Sequence, residues 1–453
     1  MGESTRQRAG LSEHTAQARR VLLTPAHPGL LTAELRIAAA VRAAERTGQP
    51  RLAARYRALG ADAASAGGVT TEDAVTTEHA VTTEHAVTTE HAVTTEHAVT
   101  TEHAETTEHA ETTEDSVVTE DAVATYAAPA PAAEAVAPAS RAVTPTPALT
   151  AAVLDFTDRV TLAPGRTGPD ILRDLTAQGL DAPAVVALAQ ICAFVSYEAR
   201  VVSGLDLLAG GPAAETPQEP APLPAAPLAP EADGFTLDQL NWHPRIPAVD
   251  ADALTAEQQS VIDAHATLST ASAYYRTLLH DPAALDHRTH IYNAVMYGRG
   301  GLPRAERELA TLLVSRANGC VYCASVHARK YAQLSRDEAA ALSVLREGGE
   351  AFAEDARADA PRGRAIARFA QAQTHTPPRG GADDIDALRA AGLDDAELTD
   401  LVHAVALFGW ANRLMLTLGD ARSVRQPDAG IPRDDARESC SRTSGRAPRT
   451  GDA

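Results

Sequence analysis

Aromatic side chains are scarce in this chain, at 4% of 453 residues, and only two tryptophans and three methionines occur. A β-sandwich or barrel core built without aromatic residues would be unusual, whereas the abundant alanine favours helices packed through small side chains. Positive charge is also in deficit: 40 Lys and Arg stand against 60 Asp and Glu, a net −20. A nucleic-acid partner needs a basic face, so that class is excluded. No uninterrupted run of about 18 apolar residues occurs, and no membrane span is expected. The first twenty residues are polar and arginine-bearing, without the apolar stretch of a secretion signal. A cytoplasmic location follows as the expectation, where thiols are kept reduced. Cysteine is rare as well, with Cys192, Cys320, Cys323 and Cys440 making the full set. Two of the four form a C-x-x-C, which points to redox or metal chemistry rather than a structural disulfide.

Sequence blocks divide the chain. From about Val69 to Asp121 a hexapeptide repeats as Val-Thr-Thr-Glu-His-Ala, drifting to Glu-Thr-Thr-Glu-His-Ala. A period of six fits neither helix nor strand, and the units carry too little apolar surface to offset the entropy of ordering. Disorder is expected across 61–148. The histidines of the repeat (His79, His85, His91, His97, His103 and His109) read as repeat expansion rather than a metal site. A Pro/Ala-rich linker is expected at 211–235 and a disordered tail, carrying Cys440, at 426–453. What remains reads as all-α: a helical domain from 9–60 plus 149–210, interrupted by the repeat, and a second from 236–425. Helices are expected from Leu254 to His280, from Pro303 to Asn318-Gly319, from Cys320, from Ser335, over Ala365 to Gln373 and over Asp394 to Leu418.

The two helical parts superimpose in sequence. Leu175-Thr-Ala-Gln-Gly-Leu-Asp181 matches Leu388-Arg-Ala-Ala-Gly-Leu-Asp394, and one offset pairs Phe156 with Phe369, Pro164 with Pro377 and Arg200 with Arg413. Upstream, a second offset sets Ala33-Glu34 on Ala305-Glu306. It places Glu308 on Arg36, Cys320 on Gly48, Cys323 on Arg51 and His327 on Arg55. No reactive group survives in the first copy, which reads as scaffold, interface or regulator. Cys192 falls on an apolar helix and reads as a buried, inert thiol.

Cys320-Val-Tyr-Cys323 stands at a helix start, so both thiols share a face close enough to join. The helix N-terminus is expected to favour a thiolate. His327 lies one turn beyond Cys323 on that face and can take the thiol proton. Glu308, one helix earlier, can orient the imidazole. Structural zinc, which would need one more ligand, and an inert buried pair are the competing readings.

Glu308, eleven residues, Cys320-Val-Tyr-Cys323, three residues and His327 resemble the signature of the AhpD-like alkylhydroperoxidases of the carboxymuconolactone decarboxylase superfamily. Asn241-Trp-His-Pro-Arg-Ile-Pro247 and Trp410-Ala-Asn-Arg-Leu-Met-Leu-Thr-Leu-Gly419 look like its peroxidase-related branch. The first half looks like cysteine-free relatives. The resemblance implies two tandem all-α domains and assembly as trimers or hexamers. It implies a thiol peroxidase for organic hydroperoxides, with no cofactor and no metal. Cys323 matches the thiol that attacks peroxide, Cys320 the partner that closes the disulfide, and Glu308 and His327 the proton relay. A dithiol protein or carrier is the implied reductant. Tyr322 departs from members with histidine before the second cysteine, which points to a simpler relay. A protein dithiol–disulfide oxidoreductase, a decarboxylase- or isomerase-like enzyme and a non-catalytic oligomeric module remain alternatives.

Overall fold

The computed structural model describes residues 3–66, 145–212, 234–265, 268–352 and 360–423. The hexapeptide repeat, most of the linker and the tail with Cys440 lie outside these residues. In the first half the helices are α1 (Glu3–Leu23), α2 (Ala33–Arg46), α3 (Pro50–Ala66), α4 (Pro147–Leu162), α5 (Pro169–Ala177) and α6 (Ala182–Leu208). The second half holds α7 (Ala256–Ala264), α8 (Ala273–Leu278), α9 (Pro282–Tyr297), α10 (Arg304–Ala317) and α11 (Val321–Ser335). It continues with α12 (Glu338–Glu347), α13 (Ala360–Thr374), α14 (Ala382–Ala390) and α15 (Asp395–Leu418). Two short strands, β1 (Leu240–Pro244) and β2 (Gly419–Ser423), pair antiparallel with Trp242 opposite Ala421. The fold is therefore all-α, as the composition implies, with one minor ribbon.

α6 and α15 pack along each other at the centre. Each starts at an aspartate, Asp181 or Asp394, whose carboxylate accepts a backbone N–H of the first turn. Neither contains a proline beyond its first turn, and both bury nearly every face, the pattern of a core helix. Both are also long and apolar enough to cross a membrane by length and hydropathy, with 89% of the relevant window buried in the protein. That length was not apparent from uninterrupted apolar runs, because Glu198, Arg200 and Arg413 break them. These polar groups are all internally bonded. Around the pair, α1 lies on α9, α2 on α3 and α10 on α11, and these described helices belong to one unit sharing a continuous core.

The two halves repeat each other in space. Pro147, Pro169 and Ala182 open α4, α5 and α6, and Ala360, Ala382 and Asp395, each 213 positions later, open α13, α14 and α15. The arginines cross over reciprocally. Arg200 donates to the carbonyls of Ser196 and Thr374, and Arg413 donates to those of Gly409 and Thr161, the matching four groups. Neither has a carboxylate among these partners. Burial lowers Arg200 to about 10 and also lowers Arg413 well below its ordinary value, with Arg200 adding like-charge repulsion there. Carbonyl dipoles hold these two cations at the interface, each such bond to a charged group being worth about 1.5–3 kcal/mol.

Upstream the structure moves the alignment by one residue. Gly48 and Gly319 have φ of 69° and 76° and close α2 and α10 in the left-handed turn that glycine tolerates best. Arg36 caps the carbonyls of Leu22, Pro28 and Leu31, and Arg307 caps those of Val295, Gly298 and Gly300. The counterparts are thus Arg36 with Arg307 and Gly48 with Gly319. Glu308 then stands over Ile37, Cys320 over Gln49, Cys323 over Leu52 and His327 over Tyr56, not over Arg36, Gly48, Arg51 and Arg55.

The helix expected from Leu254 to His280 is also two helices. Thr255 and Gln258 form a capping box that opens α7. Farther on, the hydroxyls of Ser269 and Ser272 accept the N–H groups of Ala271 and Tyr275. Such local bonds compete with helix, so the chain turns before α8 begins.

Candidate functional site

The thiols stand where α10 turns into α11. Asn318 caps α10, Gly319 makes the turn, and the Cys320 N–H bonds the Ser315 carbonyl at 2.8 Å. Cys320 is then the N-cap of α11, with Cys323 at its third position. α15 clamps this turn from behind. Asn318 donates to the Asn412 side-chain oxygen at 3.0 Å, and Asn412 donates to the Ser315 hydroxyl at 3.1 Å. Asn412 also hydrogen-bonds Cys320. The same position in the half without the cysteine pair is Ala199. That polar-for-alanine contrast was the sequence signal that could have found Asn412.

All four expected site residues are buried: Glu308 is 0% exposed, Cys320 2%, His327 4% and Cys323 6%. Glu308 Oε2 lies 2.5 Å from His327 Nδ1, and its other oxygen receives Arg304 from one turn earlier. Burial pushes the Glu308 carboxyl up, but His327 and Arg304 outweigh it, and the carboxyl sits below its ordinary 4.5. A carboxylate only accepts, so Nδ1 carries the proton and Nε2 is the imidazole's basic end. Phe408 stands edge-on to the ring at 4.4 Å and fixes its plane.

The expectation that the helix start favours a thiolate fails for Cys320. Burial pushes its thiol well above the usual value, and a hydrogen bond to Cys323 adds to that. A thiol stripped of water cannot be rescued by one helix terminus. Cys320 therefore keeps its proton and presents it toward Cys323. Two further residues frame the site. Tyr274 lies within electrostatic range of both thiols, and its buried hydroxyl has no hydrogen-bond partner. The Arg288 guanidinium lies 5.7 Å from the centre of the Tyr274 ring. Tyr292 also lies in range of Glu308, whereas His280 Nε2 donates to the Pro247 carbonyl at 2.8 Å.

The corresponding place in the first half is filled. Tyr56 occupies the His327 position, is fully buried, and donates to Glu198 at 2.6 Å. Arg19 pairs with the same carboxylate. Leu52 fills the Cys323 position. Cys192 lies apart, fully buried, with its sulfur 3.6 Å from the Thr157 hydroxyl and its thiol pushed up to about 12 by burial. We expect Cys192 to resist iodoacetamide in the native protein and to react only on denaturation. Peptide mapping of alkylated native protein checks this, and rapid labelling at Cys192 would contradict the packing described.

Glu308 also links the site to acid stability. Its carboxyl is depressed on folding, so its ion pairs stabilise the fold above the ordinary 4.5 and lose that contribution as pH falls through the folded value. Glu308→Gln should therefore be less stable than wild type at pH 7, with the gap narrowing between pH 4.5 and acid. Urea midpoints at both ends test this; a gap that stays constant or widens would contradict it.

These residues build a buried dithiol with an imidazole–carboxylate pair on adjoining helices. Residues 282–358 match the model of the carboxymuconolactone decarboxylase family. The match runs from the start of α9 past α12 and includes Glu308, both site thiols and His327. No curated protein matches the chain.

Proposed function

We propose that the protein is a thiol peroxidase that reduces organic hydroperoxides through a Cys320/Cys323 dithiol–disulfide cycle. The observation that carries this is the Asn412 clamp on the thiol turn, together with the Glu308–His327 pair, in one half only. The half without the cysteine pair has alanine in place of the clamp and tyrosine in place of the imidazole.

In the proposed cycle His327 Nε2 takes the Cys323 proton. The thiolate attacks the distal peroxide oxygen, the O–O bond breaks, and the alkoxide leaves as alcohol after taking a proton. Cys323 is then a sulfenic acid, oxidised by the two electrons the peroxide gained. Cys320 gives up its proton, attacks the Cys323 sulfur and expels water, closing the disulfide. A dithiol reductant returns both thiols and becomes a disulfide itself. The burial of both sulfurs favours a slender dithiol arm or carrier as reductant. A cytoplasmic location and homo-oligomeric assembly complete the proposal.

Protein disulfide exchange uses the same pair, and the family's decarboxylase chemistry would use Glu308 and His327 without thiols. The test is consumption of cumene hydroperoxide by the full chain with dithiothreitol. A rate well above the reductant-only blank is expected, and a rate equal to that blank would defeat the proposal. Trapping of a protein partner by Cys320→Ser or Cys323→Ser, without peroxide turnover in wild type, would favour disulfide exchange.

A further inference from the structure

A second cluster of chemistry-bearing side chains lies away from the thiols, where α1, the end of α7 and the first turns of α9 meet. His265 Nε2 is 2.7 Å from Asp286 Oδ1, and His290 Nε2 is 3.7 Å from the same oxygen. These three ligand atoms lie within 4.8 Å of one another. His287 Nδ1 approaches the other carboxylate oxygen at 3.5 Å. From the first half, His14 stacks on the His290 ring with centroids 4.0 Å apart, and its Nδ1 faces His287 Nδ1 at 3.2 Å.

Four imidazoles thus gather around one carboxylate. Neutral imidazoles each keep one nitrogen as an acceptor, and a carboxylate only accepts. In the metal-free protein His265 Nε2 donates to Asp286 Oδ1, so an ion bound between them takes the place of that proton. His265 is 4% exposed, and the His290 side chain is 43% exposed, so one ligand is fixed and another faces an entry path. The 3.7 Å separation is close to the roughly 3.3 Å between ligand atoms of a tetrahedral ion with bonds of about 2.0–2.1 Å. The 2.7 Å contact must open by about half an ångström to reach the same spacing.

We propose that His265 Nε2, Asp286 Oδ1 and His290 Nε2 form a site for a divalent transition-metal ion of the zinc type. Two imidazoles and one carboxylate select borderline metals over calcium or magnesium, which prefer all-oxygen sets. Three protein ligands leave the fourth position for water or a further ligand. His14 supports the site by stacking on His290, so the ion ties α1 of the first half to α7 and α9 of the second. Redox chemistry at the thiols does not pass through this site, and the inference is independent of the proposed peroxidase activity.

The experiment is a zinc competition titration against a chromophoric chelator, using the full chain freed of metal. The probe is Zn²⁺ alone, with four proteins compared: wild type, His290→Asn, Asp286→Asn and Cys320→Ser/Cys323→Ser. Wild type and the double cysteine variant should each hold one tight equivalent. His290→Asn and Asp286→Asn should weaken it by about a hundredfold or more, beyond the loss expected for an outer-shell partner. The repeat histidines are present in all four proteins and cannot produce that difference. Metal-free thermal unfolding checks folding, and the half-exposed His290 keeps the test decisive if Asp286→Asn fails to fold. Unchanged zinc affinity in His290→Asn, loss of the tight equivalent in the cysteine variant, or no tight equivalent in wild type would each overturn the proposal.

Discussion

Cys323→Ser will remove hydroperoxide turnover, by about a thousandfold or more, the scale on which loss of a nucleophile acts. Of the two site cysteines, Cys320 has its proton held in place by burial and by its bond to Cys323. Cys323 is the sulfur that receives that bond and sits one turn before His327. A serine hydroxyl there keeps the size of the side chain, and Cys323 is already enclosed at 6% exposure, so the fold should be retained. Peroxide-consumption assays at equal protein concentration, with circular dichroism as the folding control, check this. Cys320→Ser should behave differently. The first oxidation still occurs at Cys323, so one turnover should survive while multiple turnover with a dithiol slows. Equal steady-state rates for wild type and Cys323→Ser would assign the chemistry elsewhere.

His327→Ala should lower turnover by about a hundred- to ten-thousandfold, the range for removing a general base. The loss should be greatest near neutral pH and shrink as the solution becomes alkaline enough to deprotonate Cys323 without help. Glu308→Gln should follow the same pattern with a smaller loss, because it removes the orientation of Nδ1 and leaves the imidazole in place. Rates measured between pH 6 and pH 10 for the three proteins separate these effects. A pH-independent loss in His327→Ala would make its role one of packing against Phe408 rather than proton transfer.

Much of the architecture could be read from local sequence rules. The helix expected from Asp394 does start there, at a capping box with Glu397, and Asn318-Gly319 announced the end of α10, because caps and left-handed glycines act within a few residues. The split between α7 and α8 was missed because two serine side chains override a continuous apolar pattern. The upstream register slipped by one because Ala33-Glu34 and Ala305-Glu306 mark a helix start, where composition varies little. Gly48 and Gly319 fix backbone geometry and give the better anchor.

The site shows the same division. Glu308, Cys320, Cys323 and His327 share two adjoining helices, so spacing alone brings them together. Asn412, Phe408 and Tyr274 arrive from distant segments, and only packing places them beside the motif. The histidine–aspartate cluster had no local spacing signal either. Asp286, His287 and His290 share one helix, but His265 and His14 come from elements 21 and 273 residues away from their partners. The raised Cys320 thiol was hidden for a different reason: helix position suggests a thiolate, whereas burial depends on the whole core.

The most direct measurement is disulfide mapping of the full chain after one equivalent of cumene hydroperoxide, with free thiols blocked by alkylation before digestion. The account predicts a single new crosslink between Cys320 and Cys323, with Cys192 still reduced. Alkylatable Cys320 and Cys323 after the peroxide has been consumed would contradict it.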